Sequence, residues 1–182
     1  MISGDTAAAQ GFKGAFYNTL KGFHKYWERI DIICPYIKNL KYPGLFNNVF
    51  FHPLPPVKIL APLFILKIGR NIFRQIKPEL IIVHAYGPQL MSWGGWLLSK
   101  ETAIPLVLEV HHIDGYPIVR GLLDRIFFKT SCWFFRKAEP DTSFFRIVNA
   151  SEVKPLLLSL GIPEKKIGVI YSMYIDNSTF HP

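Results

Sequence analysis

Short apolar runs alternate along the chain with longer amphipathic stretches, and few folds are compatible with this alternation. The runs are rich in β-branched residues, as strands buried on both faces tend to be. We predict strands at residues 30–34, 49–51, 80–83, 106–110, 144–148 and 167–170, with residues 1–3 as the stub of a further strand. The amphipathic stretches predict helices at residues 14–27, 59–76, 88–100, 119–137 and 151–160.

Strands that alternate with helices predict an α/β fold with a mostly parallel central sheet. A chain of 182 residues has the size of one globular domain, and it contains no internal repeat. We therefore predict a single domain over residues 1–182, built as a Rossmann-like three-layer αβα sandwich. Ligands of such sheets bind where the strands end at their carboxyl side, so the loops that follow strands are the places to search.

The chain is basic, with 21 Lys and Arg residues against 13 Asp and Glu residues and a net charge of +8. This balance favours anionic partners such as phosphorylated substrates or acidic lipid surfaces, and it is also compatible with an ordinary basic protein. Nucleic acid is a poor explanation, because the basic residues are scattered and no common nucleic-acid-binding signature is present. The two cysteines have no metal-ligand spacing and favour a reducing compartment.

No apolar run approaches the roughly 20 residues that a membrane-spanning helix needs. The longest candidate lies at residues 59–68 and is interrupted by Pro62 and Lys67. Aromatic residues make up 15% of the chain, so some rings are expected at a surface that contacts something other than water. We therefore expect a cytoplasmic protein that can also lie against the inner face of a membrane.

The loop at residues 4–14 carries Gly11 and Gly14 just before a predicted helix. Glycines let a backbone approach a ligand closely, and the amino end of a helix attracts anions. The spacing is not the GxGxxG of dinucleotide sites, so a plain flexible connection explains the loop equally well.

Histidines follow two predicted strands directly. The side chains available there are His84, Tyr86, His111, His112, Asp114 and Tyr116. Such a cluster can bind phosphate or hydroxyl groups or hold a reacting group, although a histidine at a sheet edge can also be purely structural. A metal is not expected, because adjacent histidines point in different directions and no further ligands are spaced to complete a shell.

The predicted helix at residues 119–137 carries Arg125, Lys129 and Arg136 on one face. We predict that a second stripe packs into the core: Leu122, Leu123, Ile126 and Phe127. Phe128 and Phe135, one heptad apart, flank the basic face. Basic and aromatic side chains together suit an anionic lipid surface, whereas an ordinary solvated face is the simpler reading.

The order of these features resembles the N-terminal domain of family 4 glycosyltransferases, which have the GT-B fold. Residues 102–111 read T-A-I-P-L-V-L-E-V-H and resemble the family phrase G-x-P-x-V-x-x-x-H, and Val83-His84 resembles an earlier strand-end histidine. Residues 161–170 read G-I-P-E-K-K-I-G-V-I, close to the family's G-x-P-x-x-K-I-x-V-I. Residues 172–174 replace the usual Pro-Asn-Gly, and the end at residues 180–182 resembles the crossing into the second domain.

The resemblance implies an acceptor-binding half of a retaining hexosyltransferase, with a nucleotide sugar as co-substrate and no other cofactor. It implies that His111 contacts the transferred sugar or its phosphate, and that Gly11 and Gly14 lie near the donor diphosphate. The acceptor, lipid-linked or glycan, would lie among the remaining strand-end residues. The resemblance also implies a separate donor-binding domain that this chain lacks, so the chain alone should be inactive.

Two other functions are compatible with the same sequence. One is a stand-alone Rossmann-like module that binds a nucleotide or an anion without chemistry. The other is part of a GT-B sugar-nucleotide epimerase. A following domain with the Glu-x7-Glu motif that holds the nucleotide sugar in family 4 would separate the transferase from the stand-alone module.

Overall fold

A computed structural model describes residues 1–171 of the chain, and the predicted interdomain crossing at residues 180–182 lies outside them. The strands are β1 Ile30–Cys34, β2 Gly44–Leu45, β3 Val49–Pro53, β4 Ile81–Ala85, β5 Leu106–Val110, β6 Thr142–Ile147 and β7 Ile167–Val169. The helices are α1 Ala15–Phe23, α2 Ala61–Ile76, α3 Leu90–Thr102, α4 Leu122–Ala138 and α5 Val153–Ser159. Each of the six predicted strands and five predicted helices is confirmed, and among the strands and α-helices within residues 1–171 only the two-residue β2 was not anticipated.

The strands form two groups, in the order β2-β3-β1 and β4-β5-β6-β7. All pairings are parallel except that of β2 with β3. Ile2 joins the groups, because it bridges in parallel to Ile33 of β1 on one side and to Val83 of β4 on the other. The predicted strand stub at residues 1–3 is therefore the centre of one continuous sheet, from which the chain proceeds first to one side and then to the other. The α/β fold is confirmed.

Alternate residues of the strands face two separate cores, as the two-residue period of a strand requires. The larger core joins Val83 and Leu108 to helices α2, α3 and α4. The smaller core joins Ile32 and Cys34 to Leu20 of α1. Helices thus cover both faces of the sheet, which gives the predicted three layers.

Helix α4 presents a different side to the core from the one predicted. Its buried residues are Ser131, Cys132, Phe134, Phe135 and Ala138. Leu122, Leu123 and Ile126 are exposed instead, so the predicted core stripe is wrong. The placement of Phe135 on a basic outer surface is wrong as well, because its side chain is fully buried against Phe134 and Phe145.

Within residues 1–171, no helix has both the length and the apolar character needed to span a bilayer. Both cysteines are free thiols, and both are buried.

Candidate functional site

Three polar side chains lie side by side on neighbouring strands, near the carboxyl ends where the sequence predicts a site. In the strand register, His84 of β4 is opposite Glu109 of β5, and Glu109 is opposite Arg146 of β6. Val83, Leu108 and Phe145 precede them in their strands and face the larger core. The polar row therefore projects from the other face of the sheet, the face that α1 covers. Phe16 of α1 indeed meets the His84 ring edge-on, with ring centroids 5.7 Å apart.

Glu109 lies at the centre of this row, and the residue is only 4% exposed. Its Oε1 atom lies 3.0 Å from Nε2 of His111 and also contacts the guanidinium of Arg146. Its Oε2 atom lies 3.2 Å from Nε2 of His84. Since an ionised carboxylate can only accept hydrogen bonds, both histidines donate through Nε2. One buried acid thus orients two imidazoles and one guanidinium.

Burial alone would raise the pKa of Glu109, because it disfavours the charged carboxylate. Hydrogen bonds from His111 and His84, together with the positive charge of Arg146, outweigh that effect and hold the pKa well below its usual value of 4.5. The carboxyl group is therefore ionised at neutral pH, and its partners keep it so.

This lowered pKa gives the stability of the protein a defined pH dependence. The ionised form stabilises the fold fully above pH 4.5, the value for an unfolded glutamate, and the contribution is lost as the pH falls through the lower pKa of the folded state. We expect the difference in unfolding free energy between wild type and Glu109→Gln to be constant from neutral pH to about pH 6 and to shrink below about pH 4. Urea titrations of both proteins over this range measure it.

A difference that stays constant down to about pH 3 would contradict an ionised Glu109 network.

His84 connects the row to the first loop of the chain. Its Nδ1 atom lies 3.0 Å from the hydroxyl oxygen of Ser3, which in turn accepts a hydrogen bond from the backbone N–H of Asp5. Asp5 accepts a bond of 2.7 Å from the backbone N–H of Ala7, which closes the turn. Because Nε2 of His84 donates to Glu109, a neutral His84 accepts the Ser3 proton at Nδ1. Both nitrogens of His84 are then occupied, which is the arrangement of a structural histidine.

His111 differs from His84 in having one ring nitrogen available. Its Nε2 donates to Glu109, and its side chain retains 28% of its exposure. Among residues 1–171, no hydrogen-bond partner meets Nδ1 of His111. A ring held by a buried carboxylate, with its second nitrogen open, can donate or accept a hydrogen bond from a bound molecule.

Aromatic rings form a wall beside His111. The Tyr86 ring stacks on the His111 ring at 6.2 Å and approaches His112 at 5.9 Å. Burial raises the pKa of the Tyr86 hydroxyl, and the negative charges of Glu109 and Asp5 raise it further. Tyr86 therefore remains a neutral hydrogen-bond donor near the row.

The other predicted site residues divide into two groups. His112 lies 3.4 Å from Asp114, and the His112 side chain is 60% exposed. Asp114 also packs against the backbone at Gly87, which leaves no room for a side chain there. Tyr116 stacks on Phe128 of α4 with centroids 5.8 Å apart, so it anchors the loop to that helix. The structure therefore groups His84, Tyr86, His111, His112 and Asp114, and it places Tyr116 at their margin.

The glycines of the first loop have separate roles. Gly11 adopts a φ of +92°, and the Tyr42 ring lies 2.7 Å from where its Cβ would be, so a side chain there is excluded on both counts. Gly14 precedes α1, and nothing lies within 4 Å of its Cβ position. Gly4 is close to the row, since the Tyr86 ring lies 3.1 Å from its Cβ position. Of the two predicted glycines, only Gly14 borders open space.

Ser3, Glu109 and Arg146 were missed by the sequence analysis. A signal for two of them was present: Glu109 and Arg146 are charged residues inside short strands that are otherwise mainly apolar. Charged groups are seldom buried without a partner, so each one predicts an ion pair. Ser3 carried no such signal, because serine is common at the end of a strand.

The arrangement is suited to binding and orienting a hydroxyl or phosphate group. The Tyr86 hydroxyl is an available donor, and Nδ1 of His111 accepts in the neutral ring and donates in the imidazolium. Within residues 1–171, no three His, Cys, Asp or Glu side chains are placed to hold a metal ion.

Comparisons with known proteins identify the fold and the family. The sequence pattern of Glycosyltransferase Family 4 matches residues 16–173. The structure is similar to a UDP-GlcNAc 2-epimerase from Methanocaldococcus jannaschii, with a TM-score of 0.55 and 15% sequence identity. That match covers 86% of this chain and 41% of the epimerase chain. No curated protein sequence matches the chain significantly.

The family match extends from α1 to beyond β7, and it includes the strands that carry His84, Glu109 and Arg146. The parallel sheet flanked by helices is the architecture of a Rossmann-like half of a GT-B protein. The chain belongs to glycosyltransferase family 4.

Proposed function

We propose that this chain is the acceptor-binding, N-terminal half of a retaining glycosyltransferase. The intact enzyme transfers a hexose from a nucleotide sugar to a lipid-linked or glycan acceptor. Membership of the family supports a glycosyl transfer, and the retaining course follows the family resemblance of the sequence. The observation that carries the proposal is His111, which Glu109 fixes at the carboxyl edge of the sheet while Nδ1 remains available.

In this proposal, His111 forms a hydrogen bond to the transferred sugar or its phosphate. As an imidazolium, His111 donates to Glu109 through Nε2 and to the ligand through Nδ1. Because the buried carboxylate already orients the ring, this donor loses little freedom on binding and is effective where charge develops in the transition state. Glu109 and Arg146 act as positioning residues. Glu109 contacts His111 directly, Arg146 contacts the Glu109 carboxylate, and both side chains are mostly buried.

The departing diphosphate would lie at the amino end of α1. Gly14 precedes that helix without a side-chain cap, and no acidic residue occurs in its first turn. Unpaired N–H groups and the helix dipole favour an anion there. The open space at Gly14 is consistent with a phosphate close to the backbone.

The acceptor would bind at the same edge of the sheet, among Tyr86, His112, Asp114 and Tyr116, whereas His84 is buried with both ring nitrogens occupied and has a structural role. Exposed aromatic rings continue this edge in the loops that follow Ile2 and β1: Phe12, Tyr36 and Tyr42 are 64%, 50% and 39% exposed. Aromatic rings with a few convergent polar groups are typical of sites for small organic ligands. They supply surfaces on which a sugar or an isoprenoid chain can pack.

The donor sugar nucleotide would be held by a second domain, as in two-domain GT-B proteins. The structural match covers only 41% of the epimerase chain, which supports a separate domain for the donor. We therefore expect residues 1–182 alone to transfer no sugar.

The test is product analysis with the protein translated from its complete reading frame. Radiolabelled nucleotide hexoses are incubated with it and with extracted lipids or glycans, and label is followed into the acceptor as nucleoside diphosphate is released. Transfer by the complete protein, and none by residues 1–182, is the expected result.

Two other outcomes would overturn the proposal. Conversion of the sugar nucleotide to its epimer, without transfer, would identify an epimerase, the activity named for the similar structure. Nucleotide binding with neither product would indicate a binding module.

A further inference from the structure

Helix α4 presents an apolar stripe to solvent. Leu122, Ile126 and Trp133 follow one another at helical spacing, and they are 73%, 44% and 57% exposed. The residues next to the start of this stripe are also exposed and apolar: Ile118, Val119 and Leu123. Surfaces of this kind on a folded protein usually mark a contact with a partner or a membrane.

Exposed cations lie within the same stripe. Arg125, Lys129, Arg136 and Lys137 are all exposed on α4. The single acid of the helix is Asp124, whose carboxylate accepts a hydrogen bond from the backbone N–H of Arg120 at 2.9 Å. The outer side of α4 therefore combines apolar and basic groups with almost no negative charge.

The opposite side of α4 fixes the helix to the protein. Phe134 and Phe135 are fully buried, and Trp93 of α3 packs against both Phe134 and Trp133. The exposed stripe is thus a rigid feature of the folded domain, and it does not depend on folding upon contact.

We propose that the outer side of α4 docks on an anionic lipid bilayer. Apolar side chains enter the boundary between headgroups and acyl chains, the cations pair with lipid phosphates, and Trp133 takes the interfacial position that tryptophan favours. Lysine and arginine can extend their charged ends to the headgroups while their stems pack beside the leucines.

Charge decides between this occupant and the alternatives. A second copy of the chain would bring the same four cations against each other across a two-fold axis, without acids on this face to pair with them. Nucleic acid would satisfy the cations, but it would leave Leu122, Leu123 and Ile126 without apolar partners. An anionic bilayer satisfies both kinds of side chain.

This surface differs from the one predicted from sequence. Arg125, Lys129 and Arg136 remain in it, whereas Phe135 is in the core and Phe128 stacks on Tyr116. The apolar members are the leucines, the isoleucine and the tryptophan of the stripe. The proposal does not require sugar transfer, so it can fail or succeed independently of the proposed function.

The test is co-sedimentation of the full-length protein with vesicles of phosphatidylcholine, alone or mixed with phosphatidylglycerol. We expect binding to the mixed vesicles only, weakening as salt is raised. Arg125→Gln with Lys129→Gln should lower the vesicle partition constant about tenfold or more. Lys21→Gln with Lys25→Gln removes the same charge from exposed positions on the α1 side of the sheet and should leave binding unchanged.

A second variant tests the apolar part. Leu122→Ser, Leu123→Ser and Ile126→Ser together should abolish vesicle binding while far-UV circular dichroism and the urea midpoint stay close to wild type, because all three side chains are exposed. Equal binding to neutral vesicles, equal losses in the two charge variants, or no binding by wild type would overturn the proposal. A dimer in sedimentation equilibrium that the triple variant dissociates would overturn it in favour of a second copy.

Discussion

Replacing Glu109 with glutamine is expected to lower the free energy of unfolding by about 3–5 kcal/mol, the range for removing one partner of a buried ion pair. Glutamine has nearly the same shape, but its amide cannot accept hydrogen bonds from both histidines and the guanidinium of Arg146. The Arg146 side chain is only 19% exposed, so its charge would remain buried without a partner. Equilibrium unfolding in urea at neutral pH measures this difference.

The protein contains a matched control for this substitution. Arg70 and Glu101 form a bidentate pair at 2.6 Å, with side chains that are 46% and 42% exposed. Because solvent screens that pair, Glu101→Gln should leave the unfolding free energy unchanged within measurement error. Similar losses of unfolding free energy for Glu101→Gln and Glu109→Gln would mean that burial does not increase the cost of breaking the Glu109 ion pairs.

A second substitution separates lost pairing from lost packing. In Glu109→Gln combined with Arg146→Met, the unpaired cation is removed as well, so much of the stability lost by the single variant should return. If the double variant is as unstable as the sum of the two single variants, the carboxylate and guanidinium are not coupled.

The fold was predictable because its central strands β1, β4 and β5 are largely buried on both faces. Runs such as Leu106–Val110 are short, apolar and β-branched, and they lie between helical patterns, so local sequence and tertiary environment require the same element. The position of the site was predictable for a related reason: His84 and His111 follow strands, and parallel strands end at one edge.

The ion pairs that hold those histidines could not be predicted from the sequence in the same way. His84, Glu109 and Arg146 are separated by many residues and become neighbours only through the register of three strands. Strand pairing depends on the tertiary structure, so no local sequence pattern predicts that the Glu109 carboxylate contacts both His84 and Arg146. Charged residues inside apolar strands were the available signal.

Helix α4 shows a different limit. The helix has two apolar stripes, one with Leu122 and Ile126 and the other with Phe134 and Phe135. Helical periodicity identifies both, but it does not decide which one faces the sheet. Packing against α3 and β6 decides it, and the first stripe is left in solvent.

The largest effect on activity is expected at His111. Two substitutions test the roles of its two ring nitrogens separately. The amide nitrogen of glutamine can replace Nε2 as a donor to Glu109 but leaves nothing at Nδ1, whereas that of asparagine lies near Nδ1 and does not reach the carboxylate. If Nδ1 contacts the transferred sugar, His111→Gln should reduce sugar transfer by the complete enzyme about a hundredfold or more.

His111→Asn should then retain more activity than His111→Gln, although it loses the contact to Glu109. Both variants should unfold close to wild type, because the His111 side chain is partly exposed and Glu109 keeps His84 and Arg146. Steady-state kinetics with separate values of kcat and KM measure the effect, and a fall in kcat is expected because the contact is proposed to strengthen in the transition state.

His52 supplies the matched control, since it is also a partly exposed histidine bound to a buried carboxylate. Its Nε2 lies 2.7 Å from Asp31. Asp31 alternates with Ile32, which faces the α1 core, so it lies on the opposite face of the sheet from Glu109. His52→Gln should therefore leave sugar transfer unchanged. If His111→Gln is as active as His52→Gln, then Nδ1 of His111 does not contact the reacting sugar, and the carboxyl edge must use another donor, of which the neutral Tyr86 hydroxyl is the nearest candidate.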